Sequence, residues 1–129
     1  MEEDDMEDKN VSLYIGIASD DEDELERQEI RLRKYCQLKG YEVRKVYKDF
    51  NYSANDLSRP QFVKLQEDIK SGITEKLLVT SINHICNDLN EVFNFLDLLL
   101  TSDCGYDSID TFDMLSYIGK TPTSLFTFF

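Results

Sequence analysis

Apolar, β-rich runs alternate with longer stretches of helical periodicity along most of this 129-residue chain, and that alternation restricts the folds open to it. Val11–Ala18, with Leu13, Tyr14, Ile15 and Ile17, reads as a buried strand. The acidic run from Asp20 to Glu26 opens a helix, because carboxylates oppose the positive end of its dipole. That helix reaches about Lys39, with Leu25, Leu32, Tyr35 and Cys36 on one face and Gly40 placed as its C-cap. Tyr41–Tyr47 predicts a second strand, and the polar stretch Asp49–Ser58 a loop. Ser58 followed by Pro60 predicts a capped helix start, for a helix that carries Phe62, Leu65 and Ile69 and ends near Ser71-Gly72. Lys76–Ser81 reads as a third strand. Asp88 is placed to cap a helix whose wide apolar stripe (Leu89, Val92, Phe93, Leu96, Leu99, Leu100) is expected in the core. Tyr106–Thr111 reads as a short fourth strand, 112–121 as irregular chain, and Pro122–Phe129 as the start of a last helix.

A β-α-β-α-β-α-β order predicts a three-layer α/β fold: a mostly parallel sheet of four to five strands with helices on both faces. Chemistry in such folds collects outside the carboxyl ends of the strands. That points to the loops at 18–22, 49–58 and 82–87.

Bulk composition narrows the function. No apolar run approaches the roughly 18 residues of a membrane span, and the start Met1-Glu2-Glu3-Asp4-Asp5 has no apolar stretch for a targeting signal. Residues 1–10 read as a disordered acidic leader before a single domain spanning 11–129. Three widely spaced cysteines, Cys36, Cys86 and Cys104, suit a reducing cytoplasm better than a disulfide framework. Net charge is −12, from 26 acids and 14 bases. Lys and Arg supply most non-specific affinity for DNA, so this domain alone is a poor DNA binder.

Several ordered motifs carry a family resemblance. They are Tyr14-Ile15-Gly16-Ile17-Ala18-Ser19-Asp20-Asp21, then Leu25-Glu26-Arg27-Gln28, then Asp49 with Tyr52-Ser53-Ala54 and Arg59-Pro60. After the third strand come Asn83-His84-Ile85-Cys86-Asn87 and Asp88-Leu89-Asn90-Glu91, and later Ile109-Asp110-Thr111 and Thr121-Pro122. In order and spacing over residues 11–129 the chain resembles the catalytic domain of serine recombinases, the resolvase/invertase family. The resemblance implies a resolvase-like fold truncated at the start of the long dimerisation helix. It also implies a serine that attacks a DNA phosphodiester, arginines that neutralise the transition state, no cofactor or metal, and DNA as partner.

This sequence departs from the pattern where the charge is needed. At the nucleophile position two alignments stand, one giving Ala18 and the other Ser19. The arginine expected on the first strand is Gly16, or Ile17 in the alternative alignment. An Asp-Arg pair becomes Asn83-His84, a later arginine becomes Asn87, and Arg59 alone is retained. One positioned transition-state donor is worth roughly 10²–10³ in rate, so the loss of three arginines predicts an impaired or inactive domain. Gln28, Asp49 and Ser53 fall on supporting positions. Arg59 is either a phosphate contact or a loop anchor. Gln28 and Asp49 are site supports or loop ties, and His84 and Cys86 are rim or core positions rather than metal ligands.

Three functions compete at this stage. One is a recombinase remnant, or a regulator that pairs with itself or with an intact recombinase. A second is an active recombinase using Ser19. The third is an acidic Mg²⁺-binding receiver-like domain, for which Asp20 and Asp21 are suitably placed but Asn83 stands where a phosphoacceptor carboxylate is expected.

Overall fold

The computed structural model describes residues 9–86 and 88–110. Four strands, β1 (Asn10–Ile17), β2 (Glu42–Phe50), β3 (Lys76–Val79) and β4 (Gly105–Ser108), form one sheet in the order β2-β1-β3-β4. Every pairing is parallel. Three helices connect them: α1 (Glu22–Lys39), α2 (Pro60–Lys70) and α3 (Leu89–Thr101), with one 3-10 turn, Ile82–His84, after β3. The three-layer α/β expectation holds, with four strands among the described residues. The leader and the C-terminal segment lie outside them, apart from Lys9 and Asn10.

The side chains of β1 divide between the two faces, as the period of two requires. Val11, Leu13 and Ile15 pack with Leu78 beneath Leu32 and Cys36 of α1. Tyr14 joins Tyr47, Leu77 and Val79 beneath Phe62, Leu65 and Ile69 of α2 and Val92, Phe95 and Leu99 of α3. Because both faces are covered, the strands read as nearly continuous apolar runs.

Helix α1 begins where its sequence says it should. The Asp21 carboxylate accepts from the N–H of Asp23 at 3.0 Å and of Glu24 at 3.3 Å, and Gly40 closes the helix at φ 74°.

Four local expectations differ from the structure. Strand β2 runs three residues past Tyr47, so Asp49 lies in the sheet opposite Gly16 rather than in a loop. Ser58 does not cap α2. Its hydroxyl donates to Asp56 at 2.6 Å, and the cap comes from Asp49, whose two oxygens accept the N–H groups of Gln61 and Phe62 at 3.0 and 2.9 Å. Asp88 holds the N-cap position of α3 without a side-chain cap bond. The fourth difference is the α3 stripe: Val92, Leu99 and Phe95 are buried, but Leu89, Phe93 and Leu100 are about half exposed. The stripe is wider than the core it meets.

At the opposite end of α2, the buried carboxylate of Asp68 accepts from Tyr47 Oη at 2.6 Å and from Lys45 Nζ at 2.8 Å. Burial pushes its pKa up, but the Lys45 and Tyr47 bonds outweigh it and hold the carboxyl below its ordinary value. A depressed folded pKa contributes stability above the unfolded value near 4 and loses it as pH falls further. Asp68→Asn should therefore lower Tm at pH 6 and shrink the gap to wild type at pH 3, as read by thermal melts at both pH values.

Candidate functional site

In the order β2-β1-β3-β4 the chain crosses from β2 back over β1 to β3. The reversal leaves a switch point between the carboxyl ends of β1 and β3, where α/β folds place their ligand crevice. Both segments that carry the family-type motifs end there.

Arg59 is the largest fully buried side chain, 1% exposed. Its Nε donates to the Asp56 carbonyl at 2.7 Å and its Nη2 to the Ile85 carbonyl at 2.7 Å. Its Nη1 donates to Tyr14 Oη at 3.2 Å and the His84 carbonyl at 3.3 Å. The guanidinium carbon sits 4.2 Å from the Phe62 ring centroid, a cation–π contact in a dry setting. Tyr14 Oη passes the chain on, donating to Asp49 Oδ2 at 2.8 Å. Burial first, then that bond to Asp49, drives the Tyr14 phenol far above its usual pKa despite the nearby Arg59 charge. The phenol is therefore a fixed neutral donor.

One continuous network thus runs from the 82–85 turn through Arg59, Tyr14 and Asp49 to the first N–H groups of α2. It ties the loop after β3, the end of β1, the end of β2 and the start of α2 together. A guanidinium has five N–H donors, and backbone carbonyls and a phenol take up four bonds. Arg59 faces inward, its guanidinium engaged by the carbonyls of two turns and by Tyr14. Asp49 is buried and bonds the Tyr14 phenol and the N–H groups of Gln61 and Phe62.

Gly16 adjoins the same network. A Cβ there would stand 3.0 Å from Tyr14 Oη and 3.3 Å from the His84 carbonyl. The space that a first-strand arginine would use is filled. Gly16→Arg should accordingly destabilise the domain by about 1–3 kcal/mol through overpacking, measured by urea unfolding, rather than rebuild a phosphate site.

Ala18 and Ser19 are both exposed in the turn after β1. Ser19 Oγ accepts from the Asp21 N–H at 3.3 Å, a turn bond. Ser53 Oγ does the same for the Asn55 N–H at 3.1 Å. Asp20 is exposed beside Asp21, whose carboxylate is engaged in capping α1.

Asn83 is exposed and His84 half-buried in the 3-10 turn. Asn87 lies outside the described residues. Cys86 is buried, its thiol pushed up to about 11 mainly by desolvation. Cys104 is half-buried, its thiol at about 12 for the same reason. Among the described residues no three His, Cys, Asp or Glu side chains gather at metal-binding distance, and no helix is long and apolar enough to cross a membrane.

A shallow cleft of about 570 Å3 opens between α1 and the segments that follow β3 and β4, lined by Gln28 and Arg31 of α1, Thr80, Asn83, His84 and Asp110 among others. Gln28 is 7% exposed, and its Nε2 donates to Glu24 at 3.1 Å. Gln28 Oε1 and Thr80 Oγ1 are buried without a hydrogen-bond partner among the described residues. Glu24 and Asp110 add carboxylates to the cleft, and Arg31 is its one guanidinium. Thr80 and Arg31 are not singled out as site residues by the sequence, whereas Tyr14 opens the first motif. The sequence gives no sign that the Tyr14 phenol bonds Asp49 and Arg59, and the i, i+3 spacing of Gln28 and Arg31 is the available sign that they share a helix face.

Comparison with known proteins agrees with this architecture. The family model for the resolvase N-terminal domain matches residues 11–128. The chain therefore belongs to the resolvase N-terminal domain family, whose fold the switch-point network supports. Among solved structures it is similar to the N-terminal catalytic domain of TP901-1 integrase, with TM-score 0.75 at 22% identity over 92% of this chain and 94% of that one. It is also similar to a resolvase family site-specific recombinase from Streptococcus pneumoniae, with TM-score 0.67 at 21% identity over 92% and 91% of the two chains. A curated relative, "Uncharacterized immunity region protein 3" of Bacillus phage phi105, is 29% identical over 69 residues, half of this chain and 84% of the relative.

Proposed function

We propose that this chain is a serine-recombinase-fold domain that does not catalyse strand exchange and acts by pairing with a related recombinase domain. The observation that carries the reading is the state of Arg59. The one arginine retained from the family pattern is enclosed among backbone carbonyls, Tyr14 and Phe62. Phosphoryl transfer depends on positioned positive charge. Gly16 has no side chain to carry charge. Glu24 and Asp110 line the cleft where a phosphate would have to enter. The name of the phi105 relative places it in a phage immunity region, in keeping with a role in control rather than in cutting.

The competing reading is an active recombinase that uses Ser19, which is exposed in the turn after β1 at the switch point. In either reading DNA affinity depends on basic groups outside this acidic domain. Mixing the labelled chain with an intact resolvase-family catalytic domain tests the pairing. Hetero-association on a sizing column with light scattering, together with slower strand exchange by the intact enzyme, is the expected result. If the two proteins elute apart and the exchange rate is unchanged, the regulatory reading fails.

A further inference from the structure

Helix α3 carries an apolar line that the core leaves open. Leu89 is 53% exposed, Phe93 45% and Leu100 54%, and half-buried Leu96 continues the line between them. The steps are four, three and four residues, the alternation of a coiled-coil seam rather than of a broad core face. Val92, Phe95 and Leu99 are the residues of α3 that fill the core. From Leu89 to Leu100 the seam runs about 17 Å. A line this narrow complements a second helix, whose own apolar side chains seat between its residues.

Charge selects the kind of helix. Of the 14 bases in the chain, all but Lys120 precede Leu77. From Asp88 to Asp110 there are six acids and no Lys or Arg. Asp97 is exposed one position past Leu96, which puts it beside the seam, where a coiled-coil residue reaches across to its partner's charge. Asp88 and Asp103 are exposed just beyond the two ends. Several acids of α1 and α2 are answered from within the chain: Glu24 by Arg27, Glu29 by Arg33 and Lys48, Asp68 by Lys45. Asp88, Asp97 and Asp103 have no ion pair among the described residues. A second copy would set the same base-free helix against the seam, and like charges oppose that contact. A helix with apolar residues along one line and Lys or Arg on its flanks answers both the seam and the acids.

We propose that the seam of Leu89, Phe93, Leu96 and Leu100 docks one amphipathic helix of a partner protein, with Lys or Arg flanking its apolar line. The proposal rests on the reading that this chain acts by pairing, and it names the surface that pairs.

Fluorescence anisotropy on the full chain tests this with two labelled synthetic helices of about 18 residues, long enough to be helical alone. Both carry Leu at the seam positions; one has Lys on the flanks and the other Glu. The lysine helix should bind and the glutamate helix should not. Phe93→Glu should weaken binding of the lysine helix at least about tenfold. Asp97→Lys, a change of an exposed side chain that reports even if Phe93→Glu folds poorly, should narrow the preference for lysine about threefold or more. Leu38→Glu, on α1 and 86% exposed, should leave binding unchanged. Binding of neither helix, equal binding of both, or binding that survives Phe93→Glu and Asp97→Lys unaltered would overturn the proposal. So would a wild-type dimer, seen by light scattering, that Phe93→Glu dissociates, since the seam would then belong to a second copy. An intact resolvase-family catalytic domain as partner separates the two readings. Association that both substitutions leave unchanged overturns the seam and keeps the pairing reading. Seam-dependent binding of the lysine helix without such association overturns the pairing reading and supports the seam.

Discussion

Arg59→Ala should lower the unfolding free energy by about 3–5 kcal/mol, the range for breaking a buried, hydrogen-bonded charge and leaving its partners unpaired. The side chain fills space between Tyr14 and Phe62, and its loss strands the carbonyls of Asp56, His84 and Ile85. Each buried carbonyl left without a donor costs about 1–3 kcal/mol, although relaxation of the loop and entering water recover part of this. Arg59→Lys keeps the charge but not the fork that reaches β1 and two turns at once, so it should restore only a minority of the loss. A phosphate-binding arginine at a surface cleft behaves differently: its removal weakens ligand binding and leaves stability within about 0.5 kcal/mol. Urea denaturation of the two variants separates the alternatives.

Asp49→Ala should cost about 2–4 kcal/mol. Loss of a helix cap accounts for about 1–2 kcal/mol of that, and the bond from Tyr14 to a buried carboxylate accounts for the remainder. Asp49 provides both oxygens to α2 and also receives Tyr14 Oη, so Asp49→Asn should be partly tolerated: the amide oxygen can still accept from one N–H, whereas its NH2 group opposes the other. Arg59 and Asp49 belong to one network through Tyr14. The double variant Arg59→Ala/Asp49→Ala should therefore be less destabilised than the sum of the single variants, with a coupling of about 1 kcal/mol or more. Additivity would mean that the Tyr14 relay carries no energy.

The sequence made the layers legible because they depend on periodicity and on strong punctuation. Gly40 could take its left-handed φ at little cost, and Asp21 lay among the acids that open α1. The ends of the elements were less legible. Asp49 looked like a loop residue since a buried carboxylate in a strand makes sense only when its partners are known, and those partners are backbone groups 12 and 13 residues away. For the same reason Ser58, with a local signature, was expected to be the cap that Asp49 provides from another element.

The site was legible as a set of places and illegible as a set of contacts. Arg59 bonds the carbonyls of Asp56, His84 and Ile85, and Asn51 and Tyr52 donate to the Ile17 carbonyl at the end of β1. Yet the meaning of Arg59 turned on whether its guanidinium faces solvent or the carbonyls of the 82–85 turn, which no spacing encodes. Gly16 is similar. Its absent side chain reads as a lost arginine in sequence, whereas in three dimensions Tyr14 Oη and the His84 carbonyl occupy the place. The α3 stripe failed as a core expectation because periodicity marks an apolar face without telling how much of it the sheet beneath can cover.

The central claim is that this recombinase-fold domain lacks the positioned charge needed to hold a scissile phosphate. Incubation of the full-length protein with supercoiled plasmid carrying resolvase-type crossover sites, followed by a denaturing quench, reads that claim through covalent serine–DNA linkage. The account predicts no linked product and no nicking above background, in wild type and Ser19→Ala alike. A wild-type adduct that disappears in Ser19→Ala would contradict it.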